Sequence, residues 1–306
     1  MTPVGAALEA VEAQLRAAVG DVRRDEPVAR HVQFRIGGPA DLFVVPRTLA
    51  ELEAACGVLA AAGVRPVVLG QGSNVLVGDR GIRGVVVKIG KGCDRVTIAG
   101  AAVTAEAGAG VPALALQTAR RGLAGLEFAA GIPGSVGGAV VMNAGAHGHA
   151  MDEVTEWVDV FTPSGPRRLS GEALGFAYRT SALQQQPWVV ARVGLRLRPE
   201  PAAQVRARLE AWLAQRGATQ PLGPPSSGCI FRNPPGDHAG RLIDAAGGKG
   251  LVVGGARVSE LHANYIVNDG TATASDVLAL ADLVRARVRE HAGIALEMEV
   301  KLLGDF

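Results

Sequence analysis

The chain has 306 residues, 48% of them hydrophobic and 20% charged, with 41 glycines and a net charge of +2. That length and balance suit a globular protein of two domains with a substantial core, and exclude low-complexity disorder. Near-equal acids and bases argue against nucleic-acid and membrane surfaces while suiting small anions, and 4% aromatic residues exclude a broad base-stacking face.

In chain order, residues 5–19 carry apolar side chains at helical spacing and stop at Gly20, which predicts an amphipathic helix. Glu9, Glu12 and Asp21 interrupt any apolar run there, so no secretory signal is expected. Residues 31–39 form a lead-in with a glycine pair. Residues 40–46 read as a strand, 48–62 as a helix, 67–69 as a strand entering a glycine loop, and 84–89 as another strand. Residues 94–105 alternate as β does, 112–121 predict a helix with proline at its start, and 156–161 and 188–197 read as strands. A composition shift at Pro199 and Pro201 predicts a domain boundary near residue 200, followed by helices over 202–216 and 239–246 and a β segment ending at Asn268. A helix over 275–290 and a terminal strand over 296–303 close the chain; this strand is expected to turn Glu297 and Glu299 to opposite faces. No uncharged apolar run reaches the roughly 20 residues that span a bilayer. Cys56, Cys93 and Cys229 form no C-x-x-C pair, so neither a disulfide framework nor a metal site is expected. A soluble, cytoplasmic monomer without nucleic-acid or membrane partners is the expectation.

Two glycine-rich stretches organise this order. They are Leu69-Gly70-Gln71-Gly72-Ser73-Asn74-Val75 and Gly131-Ile132-Pro133-Gly134-Ser135-Val136-Gly137-Gly138-Ala139, the second followed by Asn143-Ala144-Gly145. Glycine runs let backbone N–H groups approach an anion closely. The first fits neither standard nucleotide fingerprint, because position 75 is valine and G-x-x-x-x-G-K-[ST] is absent. Tight turns alone would account for either stretch; the two together favour one large phosphorylated ligand.

Six motifs carry a family resemblance. In order they are Phe34-Arg35-Ile36-Gly37-Gly38, Leu69 to Asn74, Gly131 to Gly138, Tyr178-Arg179-Thr180-Ser181, Ser227-Gly228-Cys229-Ile230-Phe231-Arg232-Asn233-Pro234, and Leu296-Glu297-Met298-Glu299-Val300. Together, from about residue 28 to the end, they resemble the UDP-N-acetylenolpyruvoylglucosamine reductase family of flavoenzymes (MurB). The short span between Arg179 and Cys229 makes the chain similar to the shorter class, which lacks a tyrosine-bearing insertion. The resemblance implies an α+β fold: two FAD-binding lobes of the vanillyl-alcohol-oxidase (PCMH) type, then an α+β substrate-binding domain. The corresponding boundaries are 1–27 for the N-terminal helix and lead-in, 28–95 and 96–200 for the lobes, and 201–306 for the substrate domain.

It also implies an activity. NADPH reduces FAD, and the flavin passes hydride to the enolpyruvyl double bond of UDP-N-acetylglucosamine enolpyruvate, giving UDP-N-acetylmuramate for peptidoglycan. Arg35, both glycine stretches (Gly70, Gln71, Gly72, Ser73, Asn74 and Val75; Gly131, Ile132, Pro133, Gly134, Ser135, Gly137, Gly138 and Ala139), Asn143 and Ala144 are implied to hold FAD. Arg179 and Glu299 are implied to stabilise the enolate-like charge, the motif favouring Glu299 over Glu297. Cys229 stands where many members carry serine. A thiol has a reference pKa of about 8.5, so it is protonated at neutral pH and is the implied proton donor. Arg232, Asn233, His262 and Asn264 match substrate-domain motifs, and His147 replaces the usual tyrosine. Cys56 and Cys93 are expected to be structural, and Asp152 and Glu153 a solvated pair. Two alternatives stay open on the residues: an oxidase of a small alcohol or sugar on the same flavin fold, and a binding module without catalysis.

Overall fold

The computed structural model describes residues 6–306, with side chains from Leu8 onward. The predicted first helix is α1, Ala6–Ala18, which buries Val11 and Leu15; the expected start at residue 5 lies outside the described residues. α2, Leu49–Ala61, starts where Thr48 Oγ1 accepts from Glu51 N at 3.1 Å, an N-cap readable from the sequence. α3 is Val111–Arg120 with proline in its first turn, and α4 is Val136–Val141. α5 spans Ala202–Thr219 and α6 Ala239–Ala245. α7, Ala274–Ala292, opens on a Thr273–Asp276 capping box and ends at Gly293 with φ +70°.

The chain divides into two compact units. The first comprises the described chain to Arg24, Leu42–Gln71 and Gly84–Arg216; the second comprises Asp25–Asp41, Gly72–Arg83 and Gly217–Phe306. The expected cut near residue 200 meets no gap in packing, because α5 buries Val205 and Leu209 in the first unit's core. The first unit holds an antiparallel sheet ordered Gly165–Ser170, Thr155–Thr162, Val189–Arg196, Ala102–Glu106, Val96–Ala99. A four-stranded sheet, ordered Val22–Pro27, Pro39–Val44, Ile82–Lys88, Val67–Leu69, ends in a parallel pair that puts Leu69 beside Lys88. The second unit holds an antiparallel sheet ordered Ser226–Cys229, Tyr265–Asn268, Ala256–Val258, Val252–Val253. Its core joins Ile230, Phe231 and Ile266 to the buried face of α7, at Val277, Leu280, Val284 and Val288.

The expected terminal strand is shorter than predicted. Only Lys301–Leu303 forms a strand, parallel to Val75–Val77, while Met298 makes a single bridge to Phe231. A run of alternating residues lacks a continuous partner there, so periodicity overstated the strand.

Glu127 is 4% exposed, and its carboxylate accepts from Gly125 N and from Arg208 on α5 at 2.7 Å. Arg208 also bonds Glu200, and these bonds hold its guanidinium above the usual arginine range. Arg208→Met strips most of the compensation from a buried carboxylate. It is expected to cost about 1–3 kcal/mol of stability in urea unfolding, and Glu127→Gln in that background should recover part of it.

Candidate active site

Within the first unit the two glycine stretches meet. A Cβ on Gly70 would lie 2.4 Å from Ser135 Oγ, so only glycine permits this approach. Ser135 is the N-cap of α4, its Oγ accepting from Gly138 N at 3.4 Å, and its backbone bridges to Gly110, which the Gln71 amide overlies. The second stretch is therefore half helix, not loop throughout. Gly134 has φ +146°, and Gly137 packs against Ala107, whose Cβ would sit 2.8 Å from an added Cβ. Gly70→Ala must push Ser135 Oγ off its cap. The expected cost is about 1 kcal/mol, matched by Ser135→Ala and not additive with it in urea unfolding of the single and double variants.

Two cations lie at these loops that residue patterns gave no reason to choose. Lys88 Nζ donates to Gly70 O at 2.5 Å, and burial pushes its pKa down to about 8. Arg216, in the last turn of α5, covers Gly131, its Cδ 2.6 Å from where a Cβ would stand. Beside it His147, with φ +55°, stacks on Trp212 at 5.0 Å and 4°. Burial, then Arg216, lowers the His147 pKa. Asp152 and Glu153 are exposed, as expected, and Glu153 pairs with His149 at 2.8 Å.

Arg179 sits in a four-residue turn closed by two hydrogen bonds between Ala177 and Thr180, each 3.1 Å. Its φ is +57°, at the position where such turns favour glycine or asparagine. Its guanidinium donates to Gly145 O at 2.8 Å and lies 5.3 Å from the Tyr178 ring. Arg35 (+56°), Asn143 (+42°), His147 and Arg179 all hold positive φ, and strain of this kind concentrates at working sites. Asn143 is 3% exposed, and its side chain is committed to backbone: it donates to Ala177 O at 3.1 Å and accepts from Asp152 N at 3.0 Å. A bracing role thus accounts for the side chain expected to touch FAD. Ala139 and Ala144 are joined by the bond from Ala144 N to Ala139 O, 2.8 Å, which closes α4.

In the second unit, Cys229 ends the strand Ser226–Cys229, half-buried, after Gly228 at φ +79°. Glu299 N donates to Ile230 O at 2.7 Å and Arg232 N to Glu297 O at 2.9 Å, so the glutamate segment runs antiparallel beside the cysteine loop. Residues two apart on a strand share a face, which corrects the expected opposition, and both glutamates precede the strand Lys301–Leu303. What separates them is exposure: Glu297 is 79% exposed, while Glu299 is half-buried. Asn74 also reaches this segment, donating to Glu299 O at 3.4 Å and accepting from Lys301 N at 3.1 Å. The Ser73–Val75 end of the first glycine stretch thereby lies against the glutamate. Gly72, with φ +64°, leaves no room for a Cβ beside Val32 and accepts from Gln33 N at 3.0 Å. One residue beyond Gln33, Asn268 Nδ2 holds Phe34 O at 2.9 Å, next to exposed Arg35. Ser227 was missed as a signal: its hydroxyl is buried and makes no hydrogen bond, an unusual state for a polar atom.

Of the expected substrate residues, two serve the backbone. Asn264, 2% exposed, exchanges two bonds with Phe231, Oδ1 accepting at 2.9 Å and Nδ2 donating at 2.8 Å, and so braces the cysteine loop. Asn233 Oδ1 accepts from Ala239 N at 3.0 Å, at the start of α6. Arg232 is half-buried, 3.8 Å from the Glu297 carboxylate. His262 Nδ1 accepts from Asn264 N at 3.2 Å, and burial lowers its pKa, which keeps the ring neutral. Burial raises the Cys56 thiol to about 12 and the Cys93 thiol to about 11, which suits structural roles. Among the described residues no cluster of three or more His, Cys, Asp or Glu could hold a metal ion, and no helix is long and apolar enough to cross a membrane.

Comparison with known proteins decides the family. The chain is 49% identical over 288 residues to the UDP-N-acetylenolpyruvoylglucosamine reductase of Heliobacterium modesticaldum, covering 94% of this chain and 92% of the relative. It belongs to the UDP-N-acetylenolpyruvoylglucosamine reductase family. The relative from Rubrobacter xylanophilus is 48% identical over 282 residues, covering 92% of this chain and 95% of its own. The model of this family's C-terminal domain matches residues 220–303, and that of an FAD binding domain matches residues 40–168. The crystal structure of the UDP-N-acetylenolpyruvylglucosamine reductase from Thermus caldophilus aligns with a TM-score of 0.80 at 37% identity, over 92% of this chain and 98% of that one. The mixed α+β architecture expected from the motifs is the one observed.

Proposed function

We propose that this chain reduces UDP-N-acetylglucosamine enolpyruvate to UDP-N-acetylmuramate at the expense of NADPH, with FAD as the electron carrier, in peptidoglycan precursor synthesis. The observation that carries it is the convergence of the two glycine stretches at Gly70 and Ser135, inside the region matched by an FAD binding domain. The residues present fit such a group: a cradle that a Cβ would fill, with the Lys88 ammonium and the Arg216 guanidinium at its loops. FAD, when bound there, supplies hydride transfer between NADPH and the enolpyruvyl carbon.

The chain's own groups then have three tasks. Hydride arriving at the terminal carbon of the double bond leaves negative charge on the carboxylate side of the enolpyruvyl group. Arg179 stabilises that charge as a fixed cation with a fork matched to a carboxylate. Glu299, half-buried beside the cysteine loop, hydrogen-bonds the enol form. The Cys229 thiol gives its proton to the carbon bearing the carboxylate, and the thiolate is reprotonated from solvent before the next turnover. Arg232 and neutral His262 remain as donors for the UDP-sugar.

An anaerobic visible spectrum tests this proposal. The flavin band should bleach with NADPH and return when UDP-N-acetylglucosamine enolpyruvate is added. Return only on admitting oxygen would favour the oxidase reading, and a protein that takes up no FAD would defeat the proposal.

A further inference from the structure

Arg179 is an arginine in a backbone conformation that arginine disfavours, and the structure shows what holds it there. Gln184 belongs to the 3-10 turn Ala182–Gln185, where its N–H donates to Ser181 O at 3.2 Å. Its side-chain amide spans two carbonyls, Nε2 donating to Arg179 O at 3.1 Å and to Val141 O at 2.9 Å. Val141 O, at the end of α4, also accepts from Ser181 Oγ at 2.7 Å. Removing Gln184 therefore leaves Val141 O with a partner but takes the side-chain donor from Arg179 O. The clamp ties the turn to the helix that the second glycine stretch opens.

We infer that Gln184 is a positioning residue for Arg179: its amide fixes the Arg179 peptide against α4 and so aims the guanidinium at the charge that develops on substrate. The inference rests on the proposed role of Arg179. A left-handed conformation is unfavourable for a non-glycine residue and persists only where surrounding bonds determine it. An arginine side chain amplifies any backbone rotation along its length, and a shift of about 1 Å at a reacting centre can cost a hundredfold in rate. Neither Gln184 nor the Val141 carbonyl need touch substrate for this.

The test is a double-mutant cycle read on separate half-reactions of the FAD-loaded enzyme. Gln184→Leu should slow reoxidation of the reduced enzyme by UDP-N-acetylglucosamine enolpyruvate by about tenfold or more, leaving the rate of reduction by NADPH and the flavin spectrum unchanged. Combined with Arg179→Met, Gln184→Leu should cost less than twofold further, because nothing remains to be aimed. Gln184→Glu, which keeps the shape but offers no N–H, should behave as Gln184→Leu does and serves if the leucine variant does not fold. Gln185→Leu, at the exposed neighbour, should match wild type. Wild-type reoxidation rates in both Gln184 variants, or a full extra loss in the Arg179→Met background, would overturn the inference. A wild-type enzyme that the enolpyruvyl sugar does not reoxidise would instead defeat the function proposed above, so the two failures are distinguishable.

Discussion

Cys229→Ala is expected to slow reoxidation by the enolpyruvyl sugar by about a hundredfold to ten-thousandfold, the range over which a positioned general acid contributes. Reduction by NADPH and retention of FAD should persist, because neither step uses the proton assigned to Cys229. The substitution should be nearly silent in stability, since the thiol is half-buried at the end of an edge strand rather than a core member like Cys93. Cys229→Ser should keep a substantial part of the rate, a hydroxyl being a weaker acid that can still donate. Stopped-flow traces of the prereduced variants would read the difference; an alanine variant as fast as wild type would assign the proton to another group.

Arg179→Met should be the second large loss, about a hundredfold to a thousandfold in kcat, the usual size for removing one donor from a developing oxyanion. Arg179→Lys should recover only part, because an ammonium cannot reproduce the planar fork. Glu299→Gln keeps the shape and loses the carboxylate, and a smaller loss is expected. If Arg179→Met raised KM with kcat intact, the guanidinium would be binding ground state and transition state alike, and its assigned role would be wrong.

Much of this site was legible because its signals are local. Thr48, Thr273 and Gly293 mark helix ends through bonds to residues within four positions, and α1 and α7 follow the apolar periodicity. The motifs of Arg179, Cys229 and Glu299 were legible as family matches, not as geometry. What escaped depends on contacts between distant residues. Nothing in Lys88, between valines and Ile89, announces a bond to Gly70; Arg216 reads as the end of a helix until Gly131 is seen beneath it. Asn143 and Asn264 were chosen as family matches, and the motifs gave no sign that each side chain braces backbone. The terminal strand failed because alternation specifies faces without specifying partners, and only Lys301–Leu303 finds one in Val75–Val77. The boundary near residue 200 failed similarly: prolines mark a turn, whereas Val205 and Leu209 decide where α5 belongs.

The most direct measurement is turnover by the purified protein supplied with FAD, NADPH and UDP-N-acetylglucosamine enolpyruvate under argon, followed by absorbance and by the mass of the sugar. One NADPH should be consumed per sugar, the product should be two hydrogens heavier, and activity should vanish on stripping FAD and return on its addition. NADPH consumption that requires oxygen, with the mass of the sugar unchanged, would contradict the account.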